Sequence, residues 1–455
     1  MKLFAEHALL PTGWARNVGL TIGADGVISH VDTGVAAIGV ARTAGPLVPG
    51  MPNLHSHAFQ RALAGRTGRS HAGAPAGGTF WTWRAAMYAF LDRVDADAFE
   101  AIAAQAYVEM LKAGYTAVAE FHYVHHDPQG WSYGNPAELA HRIVAAAQGA
   151  GIALTLLPVF YAHSGFGGAP PTTGQRRFVH TLESYVRLVA SLESDAATRG
   201  YTLGVAAHSL RAVTPEELAA VVALAPVAGP IHIHAAEQTQ EVADCVAALG
   251  SRPVEWLLEH AVVDARWCLV HATHMTADET RRLAASGAVA GLAPSTEADL
   301  GDGTFAARTF LDRGGAIGIG SDSNTLIDPY AELRQLEWSQ RLSRLERNVL
   351  AREDAPVGQS LYTIAAAGGA RALVQPTGAI APGRRADLVV LSNDDPALAG
   401  QSVHDVVDAA VFGPCRRPVR DVMVAGRWVV LDGRHPNEQA VLLKYRAALA
   451  GLAAA

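Results

Sequence analysis

Three stretches of this sequence place histidines and carboxylates where they can share one metal ion. The first is Met51-Pro-Asn-Leu-His55-Ser-His57. Two histidines two positions apart on an extended segment project to the same side, because strand side chains alternate. The second, Ile231-His232-Ile-His234-Ala-Ala-Glu237, repeats the spacing. His234 stands nearer the end of its apolar run, so His232 is expected inside the fold and hydrogen-bonded there. Glu237 follows His234 by three residues, close enough to lie beside a metal-bound water. The third is Gly318-Ile-Gly-Ser-Asp322, and a further apolar run ends at His271. Imidazole nitrogen and carboxylate oxygen suit zinc in sites that keep a position open for water, and the metal brings that water's pKa towards about 7. In such chemistry Asp322 ligates the metal and accepts the water's proton. Glu237 passes a proton to a substrate nitrogen as general acid, and His271 orients the attacking oxygen.

These residues can act together only if the fold brings their segments to one place. Eight apolar runs alternate with helical patterns: Leu47–Met51, Ala117–Phe121, Ala153–Val159, Leu203–Ala207, Ile231–His234, Cys268–His271, Val289–Leu292 and Ile317–Gly320. Continuous apolar strands separated by helices indicate a parallel sheet buried on both faces. Eight such units predict an α/β fold, a (β/α)8 TIM-type barrel, whose active site lies at the C-terminal ends of the strands. Residues 47–375 are assigned to this barrel. The first 46 residues, with turns such as Asp25-Gly26, and residues 376–440, with Leu388–Leu391, Ala409–Phe412 and Val422–Val430, read as short strands. The two ends are expected to form one small β-sandwich domain, with no room for long helices. Residues 441–455 are read as a C-terminal tail, frayed over Ala450–Ala455.

Composition narrows the function classes. Of 455 residues, 50% are hydrophobic and 17% charged, against a usual charged share of roughly 25%, so extensive burial is expected and disorder is not. The net charge of -7 gives no footprint for nucleic acid. No run reaches the roughly 18 apolar residues of a membrane span, and Met1 to Trp14 lacks the pattern of a secretory leader. Cys245, Cys268 and Cys415 form neither a disulfide framework nor a Cys-x-x-Cys metal motif. A cytoplasmic protein without nucleic-acid or membrane partners is expected. His125 and His126, just past the second strand, are read as loop residues, and Trp81 and Trp83 either anchor a loop over the pocket or cover the barrel end.

The segment from Pro49 to His57, the His234–Glu237 segment, His271, Gly320-Ser-Asp322 and the closing Gly378–Leu391 segment resemble the amidohydrolase superfamily over nearly the whole chain. They are most similar to its single-zinc deaminases. That resemblance implies one Zn2+ per subunit, with His55, His57, His234 and Asp322 as ligands and Glu237 and His271, with Asp322, as catalytic groups. It also implies a homodimer. Binuclear relatives of such sites need a bridging ligand, often a carboxylated lysine. The only lysines are Lys2, Lys112 and Lys444, so a lysine bridge is excluded; Glu120, at the end of strand two, is the residue to watch.

Further segments, His57–Gly65, Phe80-Trp-Thr-Trp-Arg84, Glu120–Asp127 and Ala207–Arg211, resemble the formimidoylglutamate deiminases. This implies hydrolysis of N-formimino-L-glutamate to N-formyl-L-glutamate and ammonia in histidine degradation, with Gln60, Tyr123, His208 and Arg211 binding the substrate. The chemistry agrees: such a small-molecule substrate carries carboxylates, which an arginine grips in a bidentate way that lysine does not reproduce. Two other readings stay open at this point. One is a deaminase of a heterocycle such as guanine or adenosine, which needs no anion clamp. The other is an amidohydrolase-like scaffold without activity. Iron or manganese also fits the same ligands.

Overall fold

The computed structural model describes residues 1–66, 80–353 and 355–454. One sheet runs from Met51–Ser56 (strand 1 of the barrel) through Tyr115–His122 (strand 2), Ala153–Phe160 (strand 3), Val205–Ser209 (strand 4), Ile231–Ala235 (strand 5), Trp267–His271 (strand 6) and Val289–Leu292 (strand 7) to Ala316–Ile319 (strand 8). Every neighbouring pair is parallel. The ends meet just past strand 8: a parallel bridge joins Ser56 to Asp322. The His57 N–H donates to the Asp322 carbonyl and the Asp322 N–H to the His55 carbonyl, each at 2.9 Å. The ring therefore closes through the residues that carry the expected metal ligands.

Local sequence sets the return path of each unit. Thr214 and Thr276 open helices Pro215–Ala223 and Ala277–Ser286 with capping boxes to Glu217 and Glu279, a pairing that satisfies the first free N–H groups of a helix. Gly114, at φ 101°, ends helix Ala96–Ala113 and turns directly into strand 2. The strands then read as the fully buried apolar runs that a sheet covered on both faces requires.

Both chain ends contribute to a second sheet of eight strands. Its order is Arg427–Val430, Val419–Val424, Leu388–Leu391, Leu47–Pro49, Lys2–Leu10, Gly13–Ile22 and Ile28–Asp32, with Ala41–Arg42 beside Lys2–Leu10. It encloses its own apolar cluster around Leu3, Leu20, Ile28, Leu388 and Met423.

The structure corrects four sequence readings. The run Leu47–Met51 is not one strand. Leu47–Pro49 belongs to the small sheet and barrel strand 1 starts at Met51, because the chain turns at Gly50, where a Cβ would collide with the buried Thr116 side chain. Strand 4 begins at Val205, while Thr202–Leu203 pairs separately with strand 3. The run Ala409–Phe412 lies in a helix, Val406–Phe412, with Val406, Val407, Ala410 and Val411 buried at helical spacing. Its Asp408 accepts the N–H groups of Gly358 and Gln359 at the start of helix Val357–Leu373. Finally, the expected C-terminal tail is a helix, Glu438–Ala454. Its alanine- and leucine-rich sequence suits a helix, and Tyr445 and Leu452, two turns apart, are buried. Arg93 reaches the Leu452 carbonyl at 2.8 Å. Among the described residues no helix is long and apolar enough to cross a membrane.

Helix Val357–Leu373 lies against strand 8 with no spare volume. A Cβ on Gly368 would overlap the Ile317 carbonyl, which is backbone and cannot swing away. Gly368→Ala is therefore expected to destabilise by about 3 kcal/mol, the upper end of ordinary overpacking, seen as a lowered Tm. Gly149, in helix Glu138–Ala150, has nothing within 4 Å of the position its Cβ would take. Gly149→Ala should hold or raise Tm, by up to about 1 kcal/mol of helix propensity. Equal behaviour of the two variants would contradict this packing.

Candidate active site

His55, His57, His234, His271 and Asp322 all stand at or just past the C-terminal ends of their strands, the catalytic end of such barrels. His55 Nε2 lies 3.2 Å from His57 Nε2 and 3.1 Å from His234 Nε2. Asp322 Oδ1 lies 3.5 Å from His55 Nε2 and 3.3 Å from His57 Nε2. Among the described residues the three histidines form a group whose ligand atoms all fall within 4.8 Å of one another.

The outer nitrogens decide what this group can be. His57 Nδ1 faces the Phe121 carbonyl at 3.0 Å, and His234 Nδ1 faces the His208 carbonyl at 2.9 Å. A carbonyl only accepts, so both rings carry their proton on Nδ1 and turn an Nε2 lone pair inward. Burial pushes His57 down to about 3 and His234 well below its ordinary value, so neither picks up a second proton at neutral pH. Burial alone would raise Asp322, but His55 and its neighbours outweigh it and keep the carboxylate ionised. Three nitrogens and a carboxylate oxygen then converge with at most one proton, on His55, to share. A cation satisfies all four. These four separations, 3.1–3.5 Å, are short enough for one zinc ion to be held by His55, His57, His234 and Asp322.

A polar network locks this tetrad across the closing seam. Asn53 Nδ2 donates to Ser321 Oγ at 2.7 Å, and Asn53 Oδ1 accepts the Ser321 N–H at 3.1 Å. Ser321 Oγ donates to Asn324 Oδ1 at 2.7 Å. Asn324 Nδ2 in turn reaches the carbonyls of His57 and Asp322, both at 3.0 Å. Asp322 and Asn324 have φ of 42° and 53°, a left-handed conformation that non-glycine residues hold only where their surroundings enforce it.

Beside the tetrad, His271 Nε2 lies 3.7 Å from Glu237 Oε1 and 3.8 Å from Asp322 Oδ2. Glu237 is fixed through its backbone: the buried Glu241 accepts the N–H of Ala236 at 3.1 Å and of Glu237 at 3.0 Å. Burial pushes the Glu237 carboxyl up, so it holds a proton closer to neutral pH than an exposed glutamate. Arg211 Nη2 is 3.9 Å from Glu237 Oε2.

A cavity opens over these groups. Gln60, Tyr123, His208 and Arg211, the four residues read as substrate contacts, all line it. Gln60 Nε2 donates to the Tyr123 hydroxyl at 2.9 Å. Gln60 Oε1 and Arg211 Nε are buried and have no hydrogen-bond partner among the described residues. Sequence reading missed Arg84. It lines the same cavity and stacks over Trp81 and Tyr88 at 4.4 and 5.7 Å. The signal was present: Phe80, Trp83, Arg84, Met87 and Tyr88 repeat at helical spacing, and all face the cavity from helix Phe80–Leu91. Trp83 lines the pocket, whereas Trp81 is 37% exposed. The loop expected over the pocket ahead of these tryptophans falls in residues 67–79, outside the described residues.

Other expected or watched residues fall elsewhere. Glu120 uses both oxygens for structure, accepting the Ala58 N–H at 2.7 Å and the Tyr107 hydroxyl at 3.1 Å. It anchors the turn Ala58–Leu63 that carries Gln60 and is not part of the histidine group. His232 is buried with Nε2 at 2.8 Å from the Ala372 carbonyl. His125 and His126 face the Val159 and Val179 carbonyls.

With this geometry, similarity to known proteins is decisive. A model of the amidohydrolase family matches residues 47–429. The chain belongs to the amidohydrolase family. A model of the N-terminal domain of formimidoylglutamate deiminase HutF matches residues 2–43. A formimidoylglutamate deiminase from Pseudomonas aeruginosa is 55% identical over 96% of each chain, which places the chain in that branch. The crystal structure of an amidohydrolase from Brucella melitensis, 49% identical and covering 99% of each chain, superposes with a TM-score of 0.94. An adenosine deaminase from Xanthomonas campestris with bound zinc shares the fold at 22% identity and a TM-score of 0.82 over 100% of this chain. As an amidohydrolase of this branch, the protein is a hydrolase of non-peptide carbon–nitrogen bonds.

Asn324 ties the backbone carbonyls of two expected ligands, His57 and Asp322, across the closing seam. Asn324→Ala removes the ties to both ligand-bearing carbonyls. It is expected to weaken metal binding by about 10–100-fold, as loss of an outer partner commonly does. Competition with a chromophoric chelator measures this. Wild-type affinity in the variant would show that the seam does not govern the ligands.

Proposed function

We propose that this amidohydrolase hydrolyses N-formimino-L-glutamate to N-formyl-L-glutamate and ammonia, a step of histidine degradation, using one zinc ion held by His55, His57, His234 and Asp322. The observation that carries the reading is Arg211. It is 9% exposed, leaves Nε without a partner and faces the cavity that holds the tetrad. A buried guanidinium with free donors calls for an anion in that cavity. Arg84 on the same wall supplies a second cation, and the proposed substrate carries two carboxylates.

Zinc bound there supplies Lewis acidity and acidifies a water at neutral pH. The chain's own groups do the rest. Arg211 and Arg84 grip the carboxylates, while Gln60, Tyr123 and His208 add hydrogen bonds along the substrate. Asp322 takes a proton from the attacking water, and His271, between Asp322 and Glu237, orients that water toward the formimino carbon. Glu237, whose carboxyl burial pushes up to about 7, gives its proton to the terminal nitrogen as the oxygen adds. The proton taken up by Asp322 follows to that nitrogen, which leaves as ammonia while the added hydroxyl returns a proton to Glu237 and the formyl C=O forms. The carbon gains the water's oxygen and loses nitrogen, which gives the formyl product. A homodimer and a cytoplasmic location belong to the same proposal.

Ammonia release by zinc-loaded protein, offered N-formimino-L-glutamate beside guanine and adenosine, tests the reaction. Turnover of the glutamate derivative alone is expected, and turnover of a purine instead would overturn the anion-clamp reading. Glu237→Gln should lower kcat by about 10²–10⁴-fold, the usual share of general acid catalysis, with zinc content unchanged. Arg211→Lys should lower kcat/KM by at least about 30-fold, about 2 kcal/mol, the lower range for breaking a buried charge pair. Glu120→Gln should still bind one zinc per chain by elemental analysis. A loss of metal there would return Glu120 to the ligand set.

A further inference from the structure

His271 ends barrel strand 6 in a conformation that few side chains adopt. Its φ is 68° and that of Ala272 is 48°, and such backbone costs about 1–3 kcal/mol per residue unless the surroundings impose it. Part of the restraint is backbone, since the Ala272 N–H donates to the Ala235 carbonyl at 3.0 Å. The rest is a side chain from the next unit. His271 Nδ1 lies 3.2 Å from Glu297 Oε1, and the same oxygen accepts the Ala293 N–H at 2.9 Å. Glu297 is 5% exposed and sits on helix Pro294–Leu300. That helix is itself pinned, because the buried Glu332 accepts the Ser295 N–H at 2.8 Å and the Ser295 hydroxyl. Thr296 lines the cavity, and Glu297 stands behind it, against the far side of the imidazole.

We propose that Glu297 is a positioning residue of the reaction: by accepting Nδ1–H it selects the tautomer and ring plane of His271, so that Nε2 is the nitrogen offered to the space between Glu237 and Asp322. The inference rests on the reading of His271 as a catalytic group in the proposed hydrolysis. A carboxylate is what the role requires. It accepts only, so it rejects the tautomer with a bare Nδ1, and its charge supports the ring when Nε2 interacts with a proton in flight. Among the described residues Glu297 is the acid paired with Nδ1, while Nε2 meets both Glu237 and Asp322. Without Glu297 the imidazole can present either nitrogen, and the strained strand end loses its side-chain restraint.

The test compares Glu297→Gln and Glu297→Ala with the wild-type protein, all zinc-loaded. Glutamine keeps an oxygen able to hold the Ala293 N–H, so it guards against simple misfolding. For Glu297→Ala kcat is expected to fall by about 10–100-fold, and for Glu297→Gln by less, because its amide oxygen still accepts Nδ1–H but lacks the charge, with KM and zinc content unchanged in both. A purely structural role would move stability, zinc content and KM together. Nitrogen NMR of histidine-labelled protein gives a second readout. His271 should show protonated Nδ1 in the wild type and a mixture of tautomers in Glu297→Ala. Unchanged kcat in both variants, or an unchanged His271 nitrogen pattern, overturns the proposal. If the wild-type protein fails to turn over N-formimino-L-glutamate, the functional reading falls, while the tautomer comparison still decides the role of Glu297.

Discussion

The backbone bonds that close the barrel in this protein run through the residues proposed to hold the metal. The last strand meets the first through the Ser56–Asp322 bridge and the reciprocal backbone bonds of His55, His57 and Asp322. A slip in register between strands 1 and 8 would carry Asp322 away from the two histidines it faces. The closure is also short: no further ladder joins strand 8 to strand 1 among the described residues, so side chains reinforce it. Asn53, Ser321 and Asn324 supply that reinforcement. The left-handed backbone at Asp322 and Asn324 is tolerated because each is tied at several points. Metal binding would in turn stabilise the closed ring, since an ion bound only by the folded state favours that state by mass action.

Buried glutamates repeat the same device around the mouth. Glu120 holds the turn after strand 1, Glu241 the turn after strand 5, Glu297 the turn after strand 7 and Glu332 the helix that follows it. In each case a carboxylate accepts backbone N–H groups that a tight polar loop would otherwise leave without partners. Bonds to an ionised acceptor are the stronger kind, although burial pulls the other way. It pushes Glu120 and Glu332 up to about 8. Loops around the mouth are thereby tied to their neighbours by side-chain hydrogen bonds, the kind of support a precisely placed site needs.

Much of this arrangement was legible in the sequence because its signals are short-range. His55-Ser-His57 and His232-Ile-His234 state their own geometry, since alternation along a strand is a local rule. The apolar runs at regular intervals state the barrel. What escaped was set by contacts between distant segments. Gly50 splits an apolar run only because Thr116 packs against it. The valine-rich run before Phe412 is helical because Val406, Val407, Ala410 and Val411 are buried at helical spacing, while its Asp408 caps a neighbouring helix. Glu297 reads as an ordinary helix residue until strand 6 brings His271 beside it. Arg84 was hidden differently: its helical spacing is local, but which helix face lines the cavity is set by packing against distant segments.

The charge distribution settles how an anion can be recognised by a protein with a net charge of -7. Screening at physiological ionic strength reduces surface fields beyond roughly 8 Å, so the overall acidity neither draws the substrate in nor repels it strongly once inside. Within the cavity the balance is local. Arg211 and Arg84 line the cavity together with Glu237, Asp322 and the histidines, and Arg211 Nη2 stands 3.9 Å from Glu237 Oε2. In the proposed reaction the ligand's carboxylates would meet the arginines while its hydrolysable carbon faces the histidines. Reversed, it would set its carboxylates against Glu237 and Asp322 in a site largely closed to water, where unpaired like charges are costly. In the proposed reaction orientation would therefore depend on the acids beside the histidines as well as on the arginines. A neutral heterocycle of the same size would, in that reaction, leave the buried Arg211 Nε unmet, a difference that would separate substrates which the metal chemistry alone would treat alike.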